Sequence, residues 1–202
     1  PAKVSGLPVT AIKEAAFQNC PSVTSVVIPT SVTNIGDSAF ANCTQLTKVT
    51  IPNSVIHLGG WAFAGCTSLT QVMIPASLPL VEAYMFSGCN QLVSILVDTL
   101  NTNYSSSADG VVFSKERTVI RCYPPGRVGS YSIPNGVGCI GCESFSGCAR
   151  LTGVIIPNSV NEISMNAFKG CINLIGVLIP ASVRNISPSA FNNCVGLTSI
   201  VV

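Results

Sequence analysis

The residues best suited to chemistry are the cysteines of "GCIGC", where Cys139 and Cys142 are separated by two residues. That spacing serves half of a zinc site or a dithiol redox pair. A zinc site asks for about four ligands, and the one histidine of the chain, His57, lies far earlier in the sequence. Three readings stand for these two thiols and Cys122: half a metal site, a local disulfide or redox pair, and plain exposed thiols. The residue pattern favours the last. A Ser-His-Asp or Cys-His centre would need His57 as its base, yet His57 falls at a variable position shared with Asn34, Glu162 and Asn185, which reads as solvated. Glu82, Glu143 and Glu162 are scattered and make no evident acid–base pair, and "GVGCIGC" is a turn, not a phosphate cradle between strand and helix. No catalytic residue, cofactor or metal is expected, and the chain reads as no enzyme.

The other seven cysteines lead to the architecture. Cys20, Cys43, Cys66, Cys89, Cys148, Cys171 and Cys194 fall in one column of an internal repeat whose units end at Ile28, Ile51, Ile74, Val97, Ile133, Ile156, Ile179 and Val202. Each step is 23 residues except one of 36. A fixed period in this range marks a solenoid, in which each unit buries its apolar face only against its neighbours. The retained letters read I-P-x-S-V-x-x-I-x-x-x-A-F-x-x-C-x-x-L-T-x-V-x. Leu46, Val49 and Ile51 should point inward and Lys48 and Thr50 outward, by period-two alternation. Pro52 ends the strand for want of an amide donor, and Val55, Leu58, Ala62, Phe63 and Cys66 turn back into the core. Gly or Asn precedes every column cysteine, which predicts a left-handed bend there. Stacked side chains in such a column point the same way, so the column cysteines read as buried thiols and not as disulfides.

Composition narrows the partners. Of 202 residues, 48% are hydrophobic, only 9% are charged, and the net charge is +2, which excludes a surface built to neutralise nucleic acid or an acidic membrane. No apolar run reaches the ~18 residues of a membrane span. The opening "PAKVSGLPVT" has neither an initiator Met nor a signal-peptide layout, so a fragment of a longer protein is expected.

Outward strand positions form columns. One runs Ser25, Lys48, Gln71, Ser94, Ser130, Gly153, Gly176 and Ser199; the next runs Val27, Thr50, Met73, Leu96, Ser132, Ile155, Leu178 and Val201, and is apolar for a solvent-facing row. Contiguous exposed apolar surface marks interaction sites, while β-branched residues also simply suit strands. The candidate protein-binding face is therefore Val27, Lys48, Thr50, Gln71, Met73, Ser94, Leu96, Ile155 and Leu178. Trp61 and Tyr84 share a repeat position in successive turns and should stack on the flank, chiefly as packing. In the long unit, an insertion over about 98–127, "VVF", "SKER" and "TVIRCY" read as a protruding β-hairpin around which Lys115, Arg117, Arg121 and Arg127 gather positive charge.

The repeated "IPTSVTNIGDSAFANCTQLTKVTI" and the insertion "NYSSSADGVVFSKERTVIRCYPPG" closely resemble the BspA-like leucine-rich repeat family, the Treponema pallidum-type class of 23-residue repeats. The resemblance implies an α/β solenoid: a right-handed leucine-rich-repeat superhelix with a parallel β-sheet on one face, irregular or short helical segments on the other, and one hairpin insertion. It makes residues 1–202 a single domain of eight strand-bearing units. It also implies a non-catalytic, extracellular or cell-surface module, adhesin-like, that binds host matrix, plasma or cell-surface proteins. The alternative is a structural spacer or a solenoid that self-associates through uncapped ends at Ile200, Val201 and Val202. Leu78-Pro79 and Met85 in unit four, and Ser144 before Phe145, depart from the family pattern, and local geometry should depart there too.

Overall fold

The computed structural model describes residues 3, 4 and 6–202, and these form a solenoid of parallel strands. Strands Ser25–Val27, Lys48–Thr50, Gln71–Ile74 and Ser94–Val97 make one four-stranded parallel sheet, and Gly129–Ser132, Leu151–Ile155, Gly176–Leu178 and Ser199–Val201 make a second. Register follows the repeat, pairing Ser25 with Lys48, Gln71 with Ser94 and Gly153 with Gly176. Alternation holds as well: Val49, Val72 and Ile95 are buried while Lys48 and Thr50 are exposed. In six of the eight turns a proline follows the strand and ends the ladder, and its carbonyl accepts the amide three residues on, as in Val55 to Pro52 at 3.0 Å. The intervening serine reaches back one turn, Ser54 Oγ donating to the Val32 carbonyl at 2.7 Å and Ser159 Oγ to that of Val137 at 2.8 Å. This is why Ser-Val recurs.

The remaining sides are not helical. Two-residue strands such as Asn34–Ile35 and His57–Leu58 form narrow parallel ladders. On the third side, alternate amides donate to the next turn: Ser38 to Gly60 at 2.8 Å, Phe40 to Ala62 at 2.8 Å and Asn42 to Ala64 at 2.7 Å. The bend before each column cysteine is left-handed, from Asn19 at φ 57° through Gly65 at 71° to Asn193 at 60°. A second left-handed column, four residues earlier, contains Ala15, Ser38, Trp61, Glu143, Asn166 and Ser189. A backbone that alternates in this way and bonds to its neighbouring turn cannot make the i to i−4 bonds of an α-helix. Among the described residues the one helical element is a single 3-10 turn, Ala83–Phe86, in the aberrant fourth unit. The α/β expectation is thus corrected to an almost entirely β and turn solenoid.

Phenylalanines form the spine of the core. Phe17, Phe40, Phe63 and Phe86 stack with centroid separations of 5.3, 5.4 and 6.1 Å, and Phe145, Phe168 and Phe191 with 4.8 and 5.1 Å. Tyr123 fills the missing place, stacked on Phe145 at 4.8 Å. Each such pair contributes about 0.5–1.5 kcal/mol beyond the apolar area it buries.

The insertion differs from the hairpin read in the sequence. It is a three-stranded antiparallel meander, Tyr104–Ser106, Val112–Ser114 and Val119–Cys122, and its last strand continues in parallel with Cys139–Ile140. It does not protrude, since Val111, Val112, Phe113 and Ile120 are all fully buried. Val112 and Cys122 join the core of the first half, while Phe113, Ile120 and Tyr123 join that of the second. The amide of Ile95 donates to the Gly110 carbonyl at 3.0 Å, so the insertion occupies the edge that Gly129–Ser132 would otherwise have paired. Gly110, at φ 77°, is required there: a Cβ would lie 2.3 Å from Ser94 Oγ. For this reason the eight strands form two sheets and not one.

Asn101 anchors the entry to the meander. It is 1% exposed; its amide donates to the carbonyls of Pro75 and Leu78, each at 3.0 Å, and its Oδ1 accepts the amides of Asn103 and Tyr104. Replacing Asn101→Ala strands these four buried groups and should destabilise the protein by about 2–4 kcal/mol in urea unfolding.

Candidate functional site

The outward columns face solvent where the repeat positions place them, but they come as two patches. Val27, Thr50 and Met73 are exposed on the first sheet, with Val27 at 88%. Lys48 and Gln71 lie beside them, and a depression of about 360 Å³ between Lys48, Thr50, Gln71 and Met73 dents this face. Ser94 and Leu96, at the insertion edge, are half-buried. On the second sheet Ile155 and Leu178 pair in register and are 64% and 66% exposed, with Val201 next in line. The expected single eight-residue stripe is therefore corrected to two rows, separated by the insertion that ends the first sheet.

The basic residues of the insertion are not a free positive patch. Lys115 Nζ donates to the carbonyls of Asn101 at 2.5 Å and Thr99 at 3.2 Å, and the Arg117 guanidinium lies 4.5 Å over the Phe113 ring. Arg127 pairs with Asp109 at 3.0 Å and lies 5.7 Å over Tyr123. Their charges tie loops together, because the buried meander places carbonyls and ring faces within their reach. Arg121 is half-buried on a different flank, and its Nε lacks a partner among the described residues. Ser144, the departure before Phe145, is likewise buried, its hydroxyl without a partner among the described residues.

The cysteines divide by environment. From Cys43 onward the column thiols are buried, and each donates to the carbonyl of the core aromatic one turn back, as in Cys66 to Phe40 at 3.2 Å, Cys89 to Phe63 at 3.1 Å and Cys148 to Tyr123 at 3.8 Å, whereas half-buried Cys20 lies 3.9 Å from the Gln18 carbonyl of its own turn. Cys is used here for a small apolar body that also satisfies a second lone pair. Burial pushes the thiols of Cys66 and Cys171 up to about 12 and that of Cys89 higher still. Cys122, expected among exposed thiols, is 1% exposed, and burial pushes it up to about 12. Cys139 is half-buried against Ser164 Oγ at 3.4 Å, and Cys142 is the one exposed thiol among the ten. Among the described residues, no three of His, Cys, Asp and Glu are arranged to hold a metal ion. His57 is exposed, on the short ladder beside Asn34.

One grouping has no signal in the repeat. Trp61 and Tyr84 stack as their spacing predicts, at 5.1 Å with planes 35° apart. Around Tyr84 the fold brings Glu82 and Glu143, which are 61 positions apart, together with Asp37. Burial and the negative charges of Glu82, Glu143 and Asp37 hold the Tyr84 phenol above its ordinary value. The Glu82 carboxyl is also raised, by burial first, with Arg121 opposing.

Residues 10–114 and 122–202 match the BspA type leucine-rich repeat region, in six copies. The chain belongs to the BspA-type leucine-rich repeat family. Among solved structures, a leucine-rich repeat protein from Eubacterium ventriosum is similar at TM-score 0.75 and 22% identity, over 98% of this chain and 71% of that one. The pneumococcal vaccine antigen PcpA is similar at TM-score 0.60 and 20% identity, over 99% and 70%. No curated protein matches the sequence. The BspA-type repeat accounts for the columns above as features of one stacked unit. No helix of the described residues is long and apolar enough to cross a membrane.

A thiol pKa of about 12 leaves about one part in ten thousand as thiolate at pH 8. Titration of the native protein with an aromatic disulfide at pH 8 should show one fast thiol, abolished by Cys142→Ser. Cys43, Cys66, Cys89, Cys122, Cys148, Cys171 and Cys194 should react only on unfolding.

Proposed function

We propose that this BspA-type repeat domain, residues 1–202 acting as one unit, is a non-catalytic, extracellular or cell-surface protein-binding module of adhesin type. Its ligand is a host matrix, plasma or cell-surface protein, bound on the outward face of the two sheets. The observation that carries this reading is the pair of exposed apolar rows, Val27 to Met73 and Ile155 to Leu178, whose neighbours one residue along are buried. A folded chain keeps such rows out of water unless something covers them, and repeat proteins bind on their sheet faces. The face carries one cation, Lys48, and no carboxylate, so it suits an apolar and polar contact, not a charged one.

A second reading, self-association, rests on the two ends. Ile200, Val201 and Val202 are exposed, and at the other end an apolar cavity of about 500 Å³ opens between Val9, Ile12, Phe17, Val23 and Val26. Sedimentation of the protein at rising concentration separates it from the first reading.

Solid-phase binding to matrix and plasma glycoproteins should be saturable and should fall at least tenfold in a Met73→Glu, Leu178→Glu variant that retains its unfolding midpoint. Equal binding by the variant would remove the sheet face as the site.

A further inference from the structure

The flank that carries Trp61 is a second surface, independent of the sheets. Its aromatics are not demanded by the repeat: the same column holds Ala15, Ser38, Asn166 and Ser189 in other turns, and those turns stack equally well. Trp61 is 53% exposed, with Tyr84 tilted against it, so the pair presents an aromatic platform that nothing in the described protein covers. Gly60 makes room for it, since a Cβ there would meet the Tyr84 ring at 3.3 Å.

The platform has a charge. Only eight Asp and Glu side chains occur in the chain, and three of them, Glu82, Glu143 and Asp37, act on the Tyr84 phenol with their negative charge; Asp37 Oδ1 and the Tyr84 ring flank the same Gly60, and Glu82 lies two residues before Tyr84, with Arg121 the cation that opposes it. Asp37 uses Oδ1 to accept the Gly60 amide at 2.7 Å, which fixes its carboxylate beside the rings and leaves the second oxygen available. Glu143 accepts from Asn166 at 3.4 Å, and the Glu82 carboxylate has no hydrogen bond or ion pair among the described residues. An exposed aromatic face favours a cation over its ring, and arginine most of all, because a planar guanidinium can lie on the indole while its edge donates to carboxylates.

We propose that the Trp61–Tyr84 flank, with Asp37 and Glu82 beside it, is a docking surface for an arginine-bearing basic segment of a protein partner. Trp61 supplies the stacking face, Tyr84 holds the indole in place, and the two carboxylates take the guanidinium donors. A neutral glycan, the other ligand that stacks on exposed indoles, would leave this excess negative charge uncompensated.

Trp61 is the only tryptophan, so its fluorescence reads the site directly in the native protein. Titration with an arginine-rich hexapeptide should give a saturable change, and the same peptide with citrulline at each arginine should bind about tenfold more weakly or not at all. Glu82→Gln, which preserves shape, and Tyr84→Ala should each weaken the arginine peptide several-fold while circular dichroism stays unchanged. Met73→Glu should leave this binding intact, which separates it from the sheet face. The proposal is overturned by equal binding of the citrulline peptide, by no saturable response to the arginine peptide, or by a response to a neutral hexasaccharide alone.

Discussion

The structure depends on one constraint: the backbone of every turn must hydrogen-bond to the next turn at the same height. Parallel strands meet that demand on one side, the two-residue ladders on another, and the alternating amides of Ser38, Phe40 and Asn42 on the third. Because the bonds run between turns, each turn must have the same length and path, and equivalent side chains fall directly above one another. Phenylalanine then stacks on phenylalanine, and each column thiol from Cys43 onward meets the carbonyl of the core aromatic one turn back. A core built this way has no tertiary interlocking beyond nearest neighbours, so its stability accumulates turn by turn.

The insertion obeys the same constraint by other means. Its residues do not follow the 23-residue path, so they cannot simply continue the first sheet. The meander instead terminates that sheet through the Ile95 to Gly110 bond and supplies Tyr123 where a phenylalanine is due, and its final strand restarts the short ladder at Cys139–Ile140. Asn101 takes up the backbone groups left over at the junction. The outward apolar row is cut in two, so a partner on the proposed sheet face would bridge the insertion or engage one half.

Most of the repeat was legible because its signals are residue types with few alternatives. Ile-Pro marks a strand end, alternation assigns Leu46, Val49 and Ile51 to the core, and Asn19, Asn42 and Gly65 tolerate the left-handed bend they adopt. The second left-handed column was not legible, since Ala15, Ser38 and Trp61 carry no preference for that conformation and take it only because inter-turn bonds impose it. The burial of the insertion was hidden for a related reason. With one copy and no period, nothing in "VVF" or "TVIRCY" says which core each side chain enters, and Lys115, Arg117 and Arg127 read as a free positive patch until the carbonyls, ring faces and Asp109 that hold them are in place. The grouping of Glu82 with Glu143 around Tyr84 likewise depends on how many residues the insertion removes from the stack.

The repeat scaffold holds the sheet rows and the aromatic flank, the two proposed interaction surfaces, on one hydrogen-bonded backbone, with the meander as the joint between its halves. Native-state hydrogen exchange tests that account most directly. It predicts that the amides of Ile95, Val112 and Ile120 exchange as slowly as those of Val72 and Val154, with all five lost in the same opening. Fast exchange across Tyr104–Cys122 while the two sheets stay protected would show the insertion to be an appendage and would contradict it.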